Sequence, residues 1–281
     1  MPPDPGLIAA LRFQIDAGAD EAIGEAPVDR YAAARAPAPE AAPKTPPPPP
    51  PVEPAPLFAG EPEPTPRAGR APALVSAREA GETARALAAA AGTVAELAAA
   101  VGRYDGCELK LTANRTVFAD GNPEARLMIV GEAPGAEEDR QGLPFVGPAG
   151  QLLDRMLASI GLDRGSAYIT NVVYWRPPGN RNPTGAEIAT CLPFLVRHIE
   201  LVAPAVLALA GGTAAKALLA TNEGIMKLRG RWFAYESPGL ARPIPVRAIF
   251  HPAFLLRSQG QKREAWRDLI AIRKRLEAGS P

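Results

Sequence analysis

Residues 127–150, LMIVGEAPGAEEDRQGLPFVGPAG, constrain the fold more than any other part of this 281-residue chain. The apolar run from Leu127 to Val130 reads as a buried strand. It breaks at once into a loop with glycines at 131, 135, 142, 147 and 150, and a helix is expected over 151–160. Strand, glycine-rich loop, helix is how an open α/β sheet builds a site at the carboxyl end of a strand. Glycine allows positive φ and close approach of the backbone. Glu132, Glu137, Glu138, Asp139 and the lone Phe145 give this loop chemical content.

The same alternation continues downstream. Strands are expected at 126–130, 167–173, 205–209 and 246–250, and helices at 151–160, 184–202, 212–219 and 262–278. Strands separated by helices imply an α/β fold, a three-layer α/β/α arrangement around a mainly parallel four-stranded sheet. Two alanine-rich helices precede it. One is capped by Ser76 and runs to about Ala91. The other opens on a capping box of Thr93 and Glu96 and runs to about Val101. Earlier still, Pro46 to Pro51 form an unbroken row, which favours extended polyproline II and cannot pack a core. The predicted organisation is a short helical segment at 1–31, a disordered, semi-rigid Pro-rich linker at 32–74 and one α/β domain at 75–281. Within the first segment, 7–17 has helical spacing and reads either as a docking helix or as a helix packed back on the domain.

Composition sets few further bounds. The two cysteines, Cys107 and Cys191, exclude a disulfide framework and suggest a reducing, cytoplasmic setting. No apolar run approaches the roughly 18 residues of a membrane span, and the N-terminus lacks the pattern of a signal peptide. Net charge is +1, but the C-terminal third is basic, from Arg229 to Arg275. That basicity is either an ordinary solvated face or a phosphate-facing surface.

The strand ends carry the candidate chemistry. The first delivers Gly131, Glu132, Ala133 and, further on, Phe145. The second ends at Asn171 and continues into Trp175, Arg176 and a Pro-Pro-Gly turn. The third delivers Gly211 and Gly212, suited to close packing or a phosphate contact at a helix N-terminus. The last runs into His251, Pro252, Leu255, Leu256 and Arg257. Of the two histidines, His198 lies in a helix and reads as structural, whereas His251 follows a strand and reads as functional. A carboxylate, a phenyl ring, a carboxamide and an imidazole suit recognition of a planar, hydrogen-bonding ring. Phe145 can stack on it, Asn171 can read its edge with one donor and one acceptor, and His251 can stabilise negative charge on an oxygen. No metal-ligand spacing, dinucleotide fingerprint or Walker loop is present, which weakens nucleotide-cofactor chemistry.

At GEAPGAEEDRQGLPFVGPAGQLLDRML, YITNVVYWRPPGNRNPT, CLPFL, LRGRW and HPAFLLR, over about 105–276, the chain resembles the uracil-DNA glycosylase superfamily. Within it, the chain is most similar to family 4, the iron–sulfur type. The resemblance implies base flipping of uracil out of DNA and hydrolysis of its N-glycosidic bond to an abasic site. It implies that Glu132 positions or activates water, beside Gly131 and Ala133, the latter standing where the best-known family has an aspartate. Phe145 would stack on uracil, and Asn171 would discriminate uracil from cytosine. His251 would hydrogen-bond uracil O2. Leu255, Leu256 and Arg257 would form the minor-groove wedge, with Arg176 and Gly212 also at the DNA.

One departure concerns the cofactor. Family 4 holds a [4Fe–4S] cluster on four cysteines, and clusters normally need four soft ligands. Here the positions read Tyr104, Cys107, Trp175 and Cys191. An aromatic plug in place of the cluster, with no cofactor, is the expectation. The alternative is a cluster with incomplete cysteine ligation that borrows Asp105. The family's covalent-trapping members carry a histidine-bearing insertion after the second strand, absent here, so no covalent intermediate is expected. The expected partner is uracil-containing DNA, with no membrane; the protein is expected to be a monomer, cytoplasmic and nucleoid-associated. Two rival roles stay open: a binding module for uracil or abasic DNA with weak catalysis, and a Pro-rich arm that recruits a protein partner.

Overall fold

The computed structural model describes residues 77–279. The segment at 1–31, the linker at 32–74 and the Ser76 cap lie outside the described residues. Two helices come first, α1 (Ala77–Ala90) and α2 (Val94–Arg103), followed by a single turn, α3 (Leu109–Thr112). Thr93 caps α2 by accepting from the Glu96 N–H (3.1 Å), while the Glu96 carboxylate reaches back to Gly92 N–H (2.7 Å). The reciprocal bond of the box therefore lands one residue before the cap.

The α/β part runs β1 (Ala119–Gly121), β2 (Leu127–Gly131), α4 (Ala136–Gln141), α5 (Pro148–Ala158), β3 (Ala167–Asn171), α6 (Gly185–Val202), β4 (Val206–Ala210), α7 (Gly212–Leu219), α8 (Ile225–Leu228), β5 (Trp232–Tyr235), β6 (Ile244–Ile249), α9 (Pro252–Arg257) and α10 (Lys262–Ala278). The sheet has six strands in the order β1-β3-β2-β4-β6-β5. The four expected strands form its parallel centre, and β1 and β5 add antiparallel edges. The four-strand expectation missed both edges because Ala119-Asp120-Gly121 shows no period-two pattern and Trp232–Tyr235 is only four residues long. Pairing with β3 makes β1 a strand against its local propensity, whereas the aromatic residues of β5 favour a strand and only its length hid it.

The central strands are buried on both faces, as parallel strands must be. Met128, Val130, Tyr168, Leu207, Leu209, Val246 and Ala248 point to the side covered by α1, α2 and α6. Leu127, Ile129, Ala167, Ile169, Val206, Ala208 and Ile249 point to the other, against Leu153 and Leu157 of α5 and Ile272 of α10. Two-residue alternation thus splits one apolar run between two cores.

From β2 the chain passes to β3 on one side, then crosses back to β4 on the other. Strand order reverses at β2, which opens a crevice at the carboxyl ends of the strands. Among the described residues no helix is long and apolar enough to cross a membrane.

The basic C-terminal third is partly an internal structure. Arg247 donates twice to Asp268 Oδ1 (3.0 and 2.7 Å) and Arg229 donates to Oδ2 (2.9 Å), with Asp268 fully buried. These two arginines do not form a phosphate-facing surface; they satisfy a buried carboxylate that would otherwise be costly.

Candidate active site

The carboxyl ends of β2, β3 and β6 open on a cavity of about 530 Å³ whose walls include Glu132, Phe145, Asn171, His251 and Arg257. This lies in the size range of small-ligand sites. Gly131, the last residue of β2, shapes its floor. A Cβ there would lie 2.5 Å from Phe145 Cζ and closer still to Asn171 Oδ1. Only glycine lets the phenyl ring and the carboxamide meet over this strand end.

Phe145 is buried and takes a left-handed backbone conformation, φ 54°. Its carbonyl oxygen accepts from Arg164, which also bonds Pro144 O (3.1 Å), Asp120 (2.6 Å) and Asp154 (2.8 Å). The loop is also tied from within by Glu138. Its Oε1 accepts from the N–H groups of Val146 and Gly147 (2.9 Å each), and its Oε2 accepts from Gly135 N–H (3.1 Å). The other two acids of this stretch, Glu137 and Asp139, play different parts. Glu137 is on the surface, paired with Arg140 (2.6 Å). Asp139 is buried, accepting from the N–H groups of Asn114 (2.8 Å) and Arg115 (3.1 Å) and from the Asn114 amide (2.6 Å). Asp139 therefore fastens the loop to the segment before β1 and does not face solvent.

Asn171 ends β3 and is buried, yet its Oδ1 and Nδ2 have no hydrogen-bond partner among the described residues. A buried carboxamide with both ends unmatched costs about 1–3 kcal/mol per group. Facing a cavity, that cost reads as capacity held for a ligand with one donor and one acceptor.

His251 N-caps α9, and its Nδ1 accepts from Ala253 N–H (3.2 Å). Burial, aided by the Arg257 charge and opposed by Glu138, brings its pKa down to about 4. The ring is neutral near pH 7, so its proton sits on Nε2 as a fixed donor. The imidazole lies 5.5 Å from the Phe145 ring, centroid to centroid. Glu132 stands just past β2, and its Oε2 accepts from the Thr213 hydroxyl (2.7 Å). The other histidine is structural: His198 is fully buried, stacked on Phe118 (4.4 Å) and bonded to Tyr168 Oη (2.8 Å).

The remaining candidates are less uniform. Arg257 lines the cavity, and Leu256, its neighbour in the chain, is 40 % exposed. Leu255 is 1 % exposed and packs with Phe250 and Leu269. It is not a wedge residue: in a helical turn three consecutive side chains cannot share one face. Gly212 opens α7 with free space around it, and Arg176 bonds Asn180 Oδ1 (2.7 Å). Ala133 is part of the cavity wall. Sequence reasoning missed Asn180, Asn182 and Phe254, which also line the cavity, and Thr213. The first two belong to the turn after Pro178, where the proline and glycine signalled a loop and nothing signalled its direction.

The positions of the family-4 cluster cysteines do not fit such a cluster. Cys107 and Cys191 are buried with their sulfurs 4.0 Å apart. The other two positions hold ring systems. Tyr104 and Trp175 have centroids 6.4 Å apart, Tyr104 packs edge-on against Phe194 (5.0 Å), and both rings are buried. Their polar atoms are engaged, Tyr104 Oη donating to Ala80 O (2.9 Å) and Trp175 Nε1 to Thr116 Oγ1 (3.1 Å). Asp105 points outward to Lys110 (2.7 Å) and is mostly exposed. Among the described residues no three His, Cys, Asp or Glu side chains gather as a metal site. Two thiols and two rings cannot replace four thiolates.

Comparison with known proteins gives the family. The sequence model of the Uracil DNA glycosylase superfamily matches residues 118–270. A type-4 uracil-DNA glycosylase of Archaeoglobus fulgidus is 43 % identical over 154 residues, 53 % of this chain and 76 % of that protein. One from Thermotoga maritima is 41 % identical over 56 % of this chain and 79 % of that protein. A type-5 uracil-DNA glycosylase of Pyrobaculum aerophilum is 32 % identical over 47 % of this chain and 63 % of that protein. The chain belongs to the uracil-DNA glycosylase superfamily.

Proposed function

We propose that this protein is a DNA-repair uracil-DNA glycosylase: it takes deoxyuridine out of the DNA stack and hydrolyses the bond between uracil N1 and the deoxyribose. The observation that carries the reading is the buried, unpartnered Asn171 carboxamide beside Phe145 in the cavity. Uracil presents N3–H and O4 along one edge, matching Oδ1 as acceptor and Nδ2 as donor. Cytosine presents the reverse pattern and would leave both buried groups opposed, a mismatch of several kcal/mol by the usual cost of unpaired buried polar atoms.

Bond breaking pushes negative charge onto uracil, much of it on O2, and leaves oxocarbenium character on the sugar. The neutral His251 Nε2–H donates to O2 without first losing a proton. Such a fixed donor is worth about 10²–10³ in rate. Glu132 orients the water that attacks the sugar carbon and takes its proton. Arg257 lines the cavity and its chain neighbour Leu256 is exposed; there a phosphate contact and an apolar wedge would hold the flipped state. The protein works without an iron–sulfur cluster, its place taken by the Tyr104–Trp175–Phe194 packing. The alternative of a binding module with weak catalysis has no feature of the cavity in its favour.

The test is Asn171→Asp with paired oligonucleotides containing uracil or cytosine at one site. The carboxylate keeps acceptor capacity and loses the donor, so uracil release falls and the preference over cytosine shrinks. Unchanged rate and selectivity would remove Asn171, and with it this reading of the pocket.

A further inference from the structure

Helix α7 touches both groups assigned to the chemistry, although its sequence carries no obvious catalytic residue. Gly211, between β4 and α7, has φ 98° and donates its N–H to Ile249 O (2.9 Å). A Cβ at this position would sit 3.2 Å from His251 Cβ. The residue that caps the start of α7 is therefore packed against the histidine. Two residues on, Thr213 Oγ1 donates to Glu132 Oε2 at 2.7 Å. A threonine this early in a helix usually bonds nearby backbone; here the hydroxyl crosses to a different strand end.

Glu132 follows β2 directly, and its side chain has three rotatable bonds. Among the described residues no other side chain bonds its carboxylate. Thr213 does not line the cavity, whereas Glu132 does. We propose that Thr213 is the positioning residue of the glycosylase: it fixes one carboxylate oxygen of Glu132 so that the other faces the attacking water. This rests on the glycosylase reading given above. The hydroxyl donates to one oxygen of the carboxylate and leaves the second free to accept from water. It also removes side-chain freedom that would otherwise be lost in the transition state. With Gly211 seating His251 on the same turn, α7 sets the spacing between the water-directing and the uracil-directing groups.

The experiment compares Thr213→Val, Thr213→Ser and Glu132→Ala, alone and combined, by single-turnover release of uracil from a labelled oligonucleotide. Valine keeps the shape and removes the donor; serine keeps the donor. Thr213→Val should slow release by about 10–100-fold, and Thr213→Ser should stay near the wild-type rate. In the Glu132→Ala background, Thr213→Val should add nothing, since coupled residues are non-additive. Val at full rate, or an equal loss in both backgrounds, overturns the assignment. A second readout is independent of turnover. The ¹³C carboxylate resonance of Glu132 should move in Thr213→Val and hold in Thr213→Ser; an unmoved resonance in Thr213→Val overturns the clamp. Absence of uracil release by the wild type would instead overturn the glycosylase reading, leaving the resonance to decide the clamp.

Discussion

Replacing Gly131 by alanine adds a single methyl group where the structure has no room for one. The new carbon would lie 2.5 Å from Phe145 Cζ and 2.6 Å from Cε2, with Asn171 Oδ1 nearer still. Carbon atoms rest about 3.5–4.0 Å apart, so the ring must retreat by about 1 Å and the carboxamide must move with it. The ring cannot simply slide, because its carbonyl is held by Arg164 and the loop behind it by Glu138. Overpacking of this kind costs about 1–3 kcal/mol of stability, which for a domain of this size lowers Tm by about 2–12 °C. The catalytic cost is of similar size, since displacing a binding group by about 1 Å can reduce the rate about 100-fold, or about 2.7 kcal/mol. Single-turnover uracil release by Gly131→Ala, with a melting curve on the same preparation, checks both figures. A folded variant that releases uracil at the wild-type rate would refute the claim that this contact sets the pocket.

Leu255 and Leu256 separate core from surface. Leu255→Ala should cost about 2–5 kcal/mol in urea unfolding, while Leu256→Ala should change stability by less than about 0.5 kcal/mol and weaken binding to duplex DNA; the reverse pattern would place the wrong leucine at the DNA. His198 should make stability depend on pH. Its folded pKa is pulled down by burial to about 3 from 6.5, so the neutral form is favoured on folding. That contribution is complete above pH 6.5 and is lost as pH falls toward 3, at about 1.4 kcal/mol per pH unit. Between pH 7 and 5, wild type should lose about 2 kcal/mol more than His198→Phe, read from urea midpoints; equal losses would exclude His198. The two-thiol, two-ring pocket predicts purified protein without iron–sulfur absorption in the visible and without stoichiometric iron, and a brown, iron-loaded preparation would contradict it.

Much of this was legible before any coordinates, and the reasons are physical. The central strands announced themselves because parallel strands buried on both faces are continuous apolar runs, and α7 and α10 lie on the expected 212–219 and 262–278. Glu132, Asn171 and His251 were legible because each stands at or just beyond a strand end, where a doubly wound sheet puts its site, and Phe145 because it is the lone aromatic of the loop that follows the first of them. The edge strands were not, since a three-residue strand with a glycine has no pattern of its own. Leu255 departs from the expected wedge because a helical turn sends one of three adjacent residues inward. Thr213 escaped because a threonine two residues into a helix reads as local capping, and nothing local shows that its partner lies 81 residues away. The buried role of Arg229 and Arg247 was hidden for the same reason, as their shared Asp268 is distant in sequence.

The central claim is that this cavity removes uracil from DNA through His251 and Glu132. Its most direct measurement is alkali-induced strand cleavage of an oligonucleotide with one uracil, after incubation with wild type, His251→Ala or Glu132→Ala. The account predicts a break at the uracil with wild type, no break with thymine in its place, and a rate lower by about 10²–10³ for His251→Ala in protein that melts cooperatively. Glu132→Ala should likewise be slow and folded. Wild-type protein that leaves the uracil strand intact, or both variants cutting at the wild-type rate, would contradict it.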